Sequence, residues 1–207
     1  MAALPLDTAS LLAIAAALGW ASGLRLYAVV FLTGIAGLLG WVDLPSGLKL
    51  LQSPVMLGAS GLMLSIEFFA DKIPGVDTLW DVVHTLVRIP AGAALAAAVF
   101  GADQSSWAMA AALMGGTLAA TSHIAKATTR AALNTSPEPF SNVAMSLLGD
   151  GLVPASLWLS WAHPALFFAA LAVVAVVMVV LTWMLAKFVR QFARRVSNLF
   201  AAARPSV

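Results

Sequence analysis

No charged residue occurs between positions 164 and 186 of this chain, and nearly all side chains in that run are apolar. A helix that rises about 1.5 Å per residue needs about 20 such residues to cross the roughly 30 Å hydrocarbon core of a bilayer. In the whole chain 61% of residues are apolar and 10% are charged, which excludes an ordinary soluble domain. The sequence therefore predicts an all-α, polytopic membrane protein with about six spans and one or two re-entrant or interfacial helices.

The stretch 8–41 is apolar except for Arg25. As one helix it would be about 50 Å long, too long for a single crossing. Ser22 and Gly23 are the natural position for a break, which predicts one element over 8–22 and another over 24–41. Two spans and a re-entrant hairpin are both consistent with these lengths.

The segment from Glu67 to Pro90 concentrates the charges. Asp77, Asp81, His84 and Arg88 follow one another at spacings of four, three and four, which places them on one helical face. Asp77 is a suitable N-cap for this helix, and Pro90 is expected to end or kink it.

The domain organisation predicted is a single transmembrane domain over 1–186 and a basic tail over 187–207. Ser53-Pro54 precedes Glu67 by the same distance as Ser136-Pro137 precedes Asp150, which is consistent with an inverted repeat with halves 8–101 and 105–186. The tail holds five Lys and Arg residues and no acid. By the positive-inside rule this predicts a cytoplasmic C-terminus, and we expect the bilayer rather than nucleic acid as its partner.

Charged side chains in or beside apolar segments predict a functional site, because an unpaired charge in a bilayer is costly. In a transporter, four cations would hold a small or lipid-linked anionic solute: Arg25, Arg88, Lys126 and Arg130. Glu67, Asp71 and Asp150 would relay protons or act as counter-charges.

Two alternatives remain open from the sequence. Asp77, Asp81 and His84 could bind a divalent cation in a membrane-embedded enzyme that acts on a lipid head group. The charges could instead only lock helices together in a non-catalytic scaffold. The chain lacks a nucleophile-elbow motif, an H-E-x-x-H motif and any cysteine, so no cofactor beyond that cation is expected and an enzyme is the weaker interpretation.

Three segments carry a resemblance: SGLRLYAVVFLTGIAGLLGW, EFFADKIPGVDTLWDVVHTLVR and NTSPEPFSN. Together they resemble a family of small bacterial membrane proteins, the domain of unknown function 4126, over about residues 18 to 162. The resemblance implies a bacterial inner-membrane protein and no particular activity. Family members often have an acidic pair where this chain has Gly149-Asp150, so a paired-carboxylate mechanism is not expected there.

Overall fold

The computed structural model describes residues 6–73, 75–134 and 140–202. Within these ranges the chain is helical and confirms the all-α prediction. The α-helices are α1 (Thr8–Leu38), α2 (Pro54–Ala70), α3 (Val76–Ala98), α4 (Ser105–Leu133), α5 (Phe140–Ala162) and α6 (Pro164–Ala202), with 3₁₀ helices at Ser46–Gln52 and Ala102–Gln104. Five of them are long and apolar enough to cross a membrane, and the bent pair Ser46–Gln52 and Pro54–Ala70 would make a sixth.

Helix α1 forms the centre of the bundle and is broken at Arg25. Most of its residues from Ala13 to Val29 are buried against the other helices. Arg25 has non-helical backbone angles, φ −149° and ψ 85°. A break was predicted at Ser22 and Gly23, and it lies two residues later because both of those residues pack inside the first half.

The half of α1 before the break runs alongside α4 in the same direction. A Cβ built on Gly19 would lie 2.4 Å from Gly115 Cα, and one on Gly23 would lie 2.0 Å from Ser122 Oγ. Such close approach of two backbones requires glycine and is typical of membrane helices. Helix α3 lies antiparallel to α4, with Gly92 against Ala119.

The half of α1 after the break returns toward the side from which α1 entered. Gly34 packs against the backbone of Leu51 in the 3₁₀ helix, and Gly47 of that same helix packs against Ala98 at the C-terminal end of α3. The first half passes Gly92 of α3 on its way to Arg25, so both ends of α1 lie at the Ala98 end of the bundle. Of the two readings left open by the length of 8–41, these contacts favour the re-entrant hairpin, with Arg25 at its tip.

Helix α3 is amphipathic with its charged face directed into the protein. Asp77, Asp81, His84 and Arg88 are all buried, as the spacing indicated, whereas Leu86 on the other face is 82% exposed. This is the arrangement expected where lipid surrounds the apolar face.

The N-cap prediction for α3 is wrong, and of the two outcomes expected at Pro90 the end of the helix is not observed. Its N-cap is Gly75, with φ 88°, and Asp77 lies in the first turn, where its Oδ1 accepts hydrogen bonds from the backbone N–H groups of Gly75 and Thr78. Pro90 does not end the helix, which continues to Ala98. The segment 76–98 is therefore one membrane-length helix rather than two short ones.

Helices α5 and α6 cover one side of the bundle, and the outward valines of α6 are exposed. The basic tail begins within α6, which continues to Ala202. Ser136, Pro137 and Arg204 lie outside the described residues, so the inverted repeat stays a prediction.

Candidate functional site

A network of buried ion pairs joins α1, α3, α4, α5 and the end of α2. Among the described residues it contains five cations and five acids, namely Arg25, Lys72, Arg88, Lys126, Arg130, Glu67, Asp71, Asp77, Asp81 and Asp150. Every predicted site residue except His84 belongs to it, and Lys72 is the addition. The equal numbers of opposite charges explain how so many ionised groups are tolerated inside an apolar protein.

One part of the network is closed to its surroundings, and we call Glu67, Asp81 and Arg88 the closed end. Arg88 Nη2 lies 2.6 Å from Glu67 Oε1, and its Nη1 lies 2.7 Å from Asp81 Oδ1. The Arg88 and Glu67 side chains have no exposed surface. His123 lies beside them, with Nδ1 accepting from Arg88 Nη1 at 3.3 Å and Nε2 2.7 Å from the Thr85 hydroxyl. Arg88 Nε and Glu67 Oε2 are also buried, and neither makes a hydrogen bond among the described residues.

Asp71 connects the network across the bundle. Its carboxylate lies 2.9 Å from Lys126 Nζ, 2.9 Å from Arg130 Nη1 and 3.2 Å from Arg25 Nη1. Burial alone would raise the pKa of Asp71, but the charges of Lys126, Arg130 and Arg25 outweigh it and hold that pKa below the ordinary value. Asp71 is therefore an ionised counter-charge to three cations.

The break in α1 is held by polar side chains from α4 and α5. Lys126 Nζ donates to the Leu24 carbonyl at 2.9 Å, and the Ser122 hydroxyl donates to the Trp20 carbonyl at 2.7 Å. The Lys126 contact bonds a carbonyl group next to the break, where the helical hydrogen bonds are interrupted. Arg25 Nη2 donates to Ser146 Oγ at 2.8 Å, and Arg25 Nε lies 2.8 Å from Asp150 Oδ1.

A cavity of about 250 Å³ lies against the other part of the network. Its charged lining consists of Arg25, Asp71, Lys126 and Arg130, which we call the cavity end. The remaining lining is mostly apolar and comes from α5 and α6. Met145 and Leu148 of α5 and Val173 and Val177 of α6 line the cavity and are also exposed on the outer surface, so the cavity opens on the side of the protein formed by α5 and α6.

The cavity end has donor capacity that the protein leaves unused. Buried Arg25 Nη1 makes no hydrogen bond in the part of the chain that the structure describes, although it lies near the Asp71 carboxylate. Cations outnumber acids by three to one among the cavity-lining residues. The charged groups of the lining are thus mostly cationic, each of these cations is paired with acids of the network, and the rest of the lining is mostly apolar.

The three residues considered for a metal, Asp77, Asp81 and His84, do not converge. His84 Nδ1 donates to the Trp80 carbonyl at 2.8 Å, and His84 Nε2 lies 3.2 Å from the Tyr27 hydroxyl. Both carboxylates instead face Arg130, Asp81 at 3.0 Å and Asp77 at 3.9 Å. Within the described ranges no group of three His, Asp or Glu side chains is placed to hold a metal ion.

Sequence reasoning missed several members of the site. Lys72 was not assigned to the site, and it pairs with Asp150 of α5 at 3.2 Å. Ser146 and His123 were not assigned roles, and each contacts an arginine of the network. Ser146 lies one turn before Asp150 on α5, so the spacing of four was the signal available.

The chain matches a known protein family. Residues 12–185 match the family described as Domain of unknown function (DUF4126). The chain belongs to this family. The match confirms the resemblance carried by the three sequence segments and extends it to most of the membrane domain. A search of curated proteins and a search of solved structures found no match to the chain.

Proposed function

We propose that this DUF4126 protein is a membrane transporter for an amphiphilic anion. The observation that carries the proposal is the cavity, in which Arg25, Lys126 and Arg130 form a cationic end and apolar side chains of α5 and α6 form the walls. A phosphate or carboxylate group bonds well to guanidinium and ammonium donors, particularly where water is excluded. An acyl or polyprenyl chain fits the apolar opening toward the lipid.

The broken helix supports transport rather than passive lipid binding. Transporters often place their binding sites near the bilayer midplane at discontinuous helices, where helix ends contribute partial charges. Arg25 stands at such a break, and Lys126 joins the Leu24 carbonyl on one side to Asp71 on the other. Substrate binding at Arg25 or Lys126 is thereby coupled to the conformation of α1.

Within this proposal the predicted site residues take different roles. Arg25, Lys126 and Arg130 bind the anionic group, and Asp71 and Asp150 are their counter-charges. Arg88 and Glu67 do not line the cavity, and we assign them to holding α2 and α3 together.

We further propose that the protein lies in the bacterial inner membrane with its C-terminus in the cytoplasm. The basis is the excess of Lys and Arg after residue 186. A reporter that works only in the cytoplasm should be active when it is fused after residue 207, and one that works only in the periplasm should be inactive there. Activity of the periplasmic reporter alone would refute the orientation.

Lipid movement in proteoliposomes tests the function. We expect fluorescent phosphatidylglycerol to cross the bilayer faster than phosphatidylcholine bearing the same fluorophore, measured by dithionite quenching. Arg130→Lys should reduce the preference, because lysine keeps the charge and loses the planar fork. Arg88→Lys is the matched control, since Arg88 lies outside the cavity. Both variants are first checked for folding by size-exclusion chromatography.

The outcomes separate the alternatives. If both lipids cross the bilayer at the same rate with and without the protein, and Arg130→Lys behaves as the wild type does, the result would contradict the transporter and favour a scaffold. Movement of glycerol phosphate but not of phosphatidylglycerol would favour a water-soluble anion as substrate.

A further inference from the structure

Asp150 differs from the other acids of the network in its exposure. Its side chain is 23% exposed, whereas those of Glu67, Asp71 and Asp77 are fully buried. It sits at the edge of the cavity, because Gly149 before it and Arg25 beside it both belong to the lining. A ligand entering between α5 and α6 therefore meets the contact between Asp150 and Arg25.

Asp150 has a second cation available. Its Oδ2 lies 3.2 Å from Lys72 Nζ, while its Oδ1 is bound by Arg25 Nε. Lys72 is itself fixed, since Nζ donates to the Phe68 carbonyl at 3.2 Å and lies 3.1 Å from the centre of the Phe68 ring. The carboxylate thus keeps a counter-charge when Arg25 is taken by another anion.

The turn of α5 around Asp150 contains residues that weaken the helix. Asp150 is flanked by Gly149 and Gly151, which lower helix stability relative to alanine. Pro154 follows four residues later and has no N–H to bond the Asp150 carbonyl. A shift of this turn of α5 costs little compared with a shift of an uninterrupted helix.

We propose that Asp150 is an internal competitor of the substrate, occupying Arg25 until an anionic head group displaces it onto Lys72. The inference rests on the proposed function, because it concerns the same cavity. The entering phosphate or carboxylate bonds Arg25 through Nε and the unused Nη1, and Asp150 moves with its turn of α5 toward Lys72. Asp150 thereby excludes ligands whose head group is neutral or zwitterionic, which cannot replace its charge on Arg25.

The test compares two variants with the same change in net charge. Asp150→Asn should bind fluorescent phosphatidylglycerol in detergent about fivefold more tightly than the wild type, the gain expected from removing one partly exposed ion pair. Asp103→Asn removes an exposed acid that does not line the cavity, so its affinity should be unchanged. Phosphatidylcholine with the same fluorophore should bind Asp150→Asn better than the wild type as well.

A second measurement follows the displacement itself. Hydrogen–deuterium exchange of the peptide covering 149–154 should rise when phosphatidylglycerol is added to the wild type. In Asp150→Asn the exchange should already be high and should change little.

The failures are distinguishable. If the wild type prefers phosphatidylglycerol but Asp150→Asn binds no more tightly, or the exchange of 149–154 is unaffected by lipid, the competition is refuted and the proposed function stands. If neither protein prefers the anionic lipid, the proposed function fails and the competition with it.

Discussion

The two parts of the charge network use the same chemistry under different conditions. At the closed end Arg88 is sealed between Glu67 and Asp81 with no exposed surface. At the cavity end Arg25 has comparable ion pairs, but one of them reaches the partly exposed Asp150 and one of its nitrogen atoms has no hydrogen bond among the described residues. Arg88 Nε and Glu67 Oε2 at the closed end also lack a hydrogen bond among the described residues, so the two ends differ in their contact with the cavity and not in having unused polar atoms.

This difference distinguishes ion pairs that only hold helices together from ion pairs that border the cavity. A sealed ion pair in a membrane protein contributes little net stability but is very costly to break, because the remaining charge stays buried. A pair beside a cavity can exchange partners with an entering ion. Contact with the cavity, rather than the presence of charge or of an unused donor, is therefore the basis on which we propose Arg25 and not Arg88 as a ligand-binding residue.

The largest effect is expected from breaking the closed end. Arg88→Ala leaves Glu67 without a counter-charge and should lower the free energy of unfolding by about 3 to 5 kcal/mol. Denaturant unfolding in detergent micelles measures this loss. Arg88→Lys serves as the control and should lose much less. If Arg88→Ala were as stable as the wild type, water would have to reach Glu67 at the closed end.

Removing both charges should restore part of that loss. The double variant Glu67→Leu with Arg88→Met replaces the pair by apolar side chains, and we expect it to be about 2 kcal/mol more stable than Arg88→Met alone. A double-mutant cycle by the same unfolding assay gives the coupling. Additive losses would mean that Glu67 and Arg88 do not interact in the membrane.

The smallest effect is expected at the edge of the cavity. Lys72→Met removes a pair in which both side chains are about one-fifth exposed. Since such pairs contribute little, the free energy of unfolding should fall by less than about 1 kcal/mol. A loss as large as that of Arg88→Ala would erase the distinction between the two ends.

The sequence predicted the face of α3 but not the contacts of that face. Spacings of four, three and four place Asp77, Asp81, His84 and Arg88 together on any α-helix. The pairing of Asp77, Asp81 and Arg88 with side chains of α2 and α4 depends on how those helices pack, which no local pattern encodes. The three family segments and the lengths of the apolar runs were likewise sufficient to predict an all-α membrane protein.

The break at Arg25 shows where such reasoning ends. The length of 8–41 required an interruption, and small residues suggested Ser22 and Gly23. Those residues are instead used for close packing against α4, and the interruption falls where Lys126, Ser146 and Asp150 can satisfy the polar groups it exposes. Two partners of Arg25, Ser146 and Asp150, are more than a hundred residues away in sequence, so only the assembled fold reveals them.

Photo-crosslinking from two lipid-facing positions tests the central claim most directly. A benzoylphenylalanine replaces Val177 at the mouth of the cavity or Leu86 on the outer face of α3, in membranes with equal amounts of labelled phosphatidylglycerol and phosphatidylcholine. We predict an excess of phosphatidylglycerol adducts at position 177, lost in Arg130→Lys, and equal adducts at position 86. Equal adducts of the two lipids at both positions would contradict an anion-binding cavity in this protein.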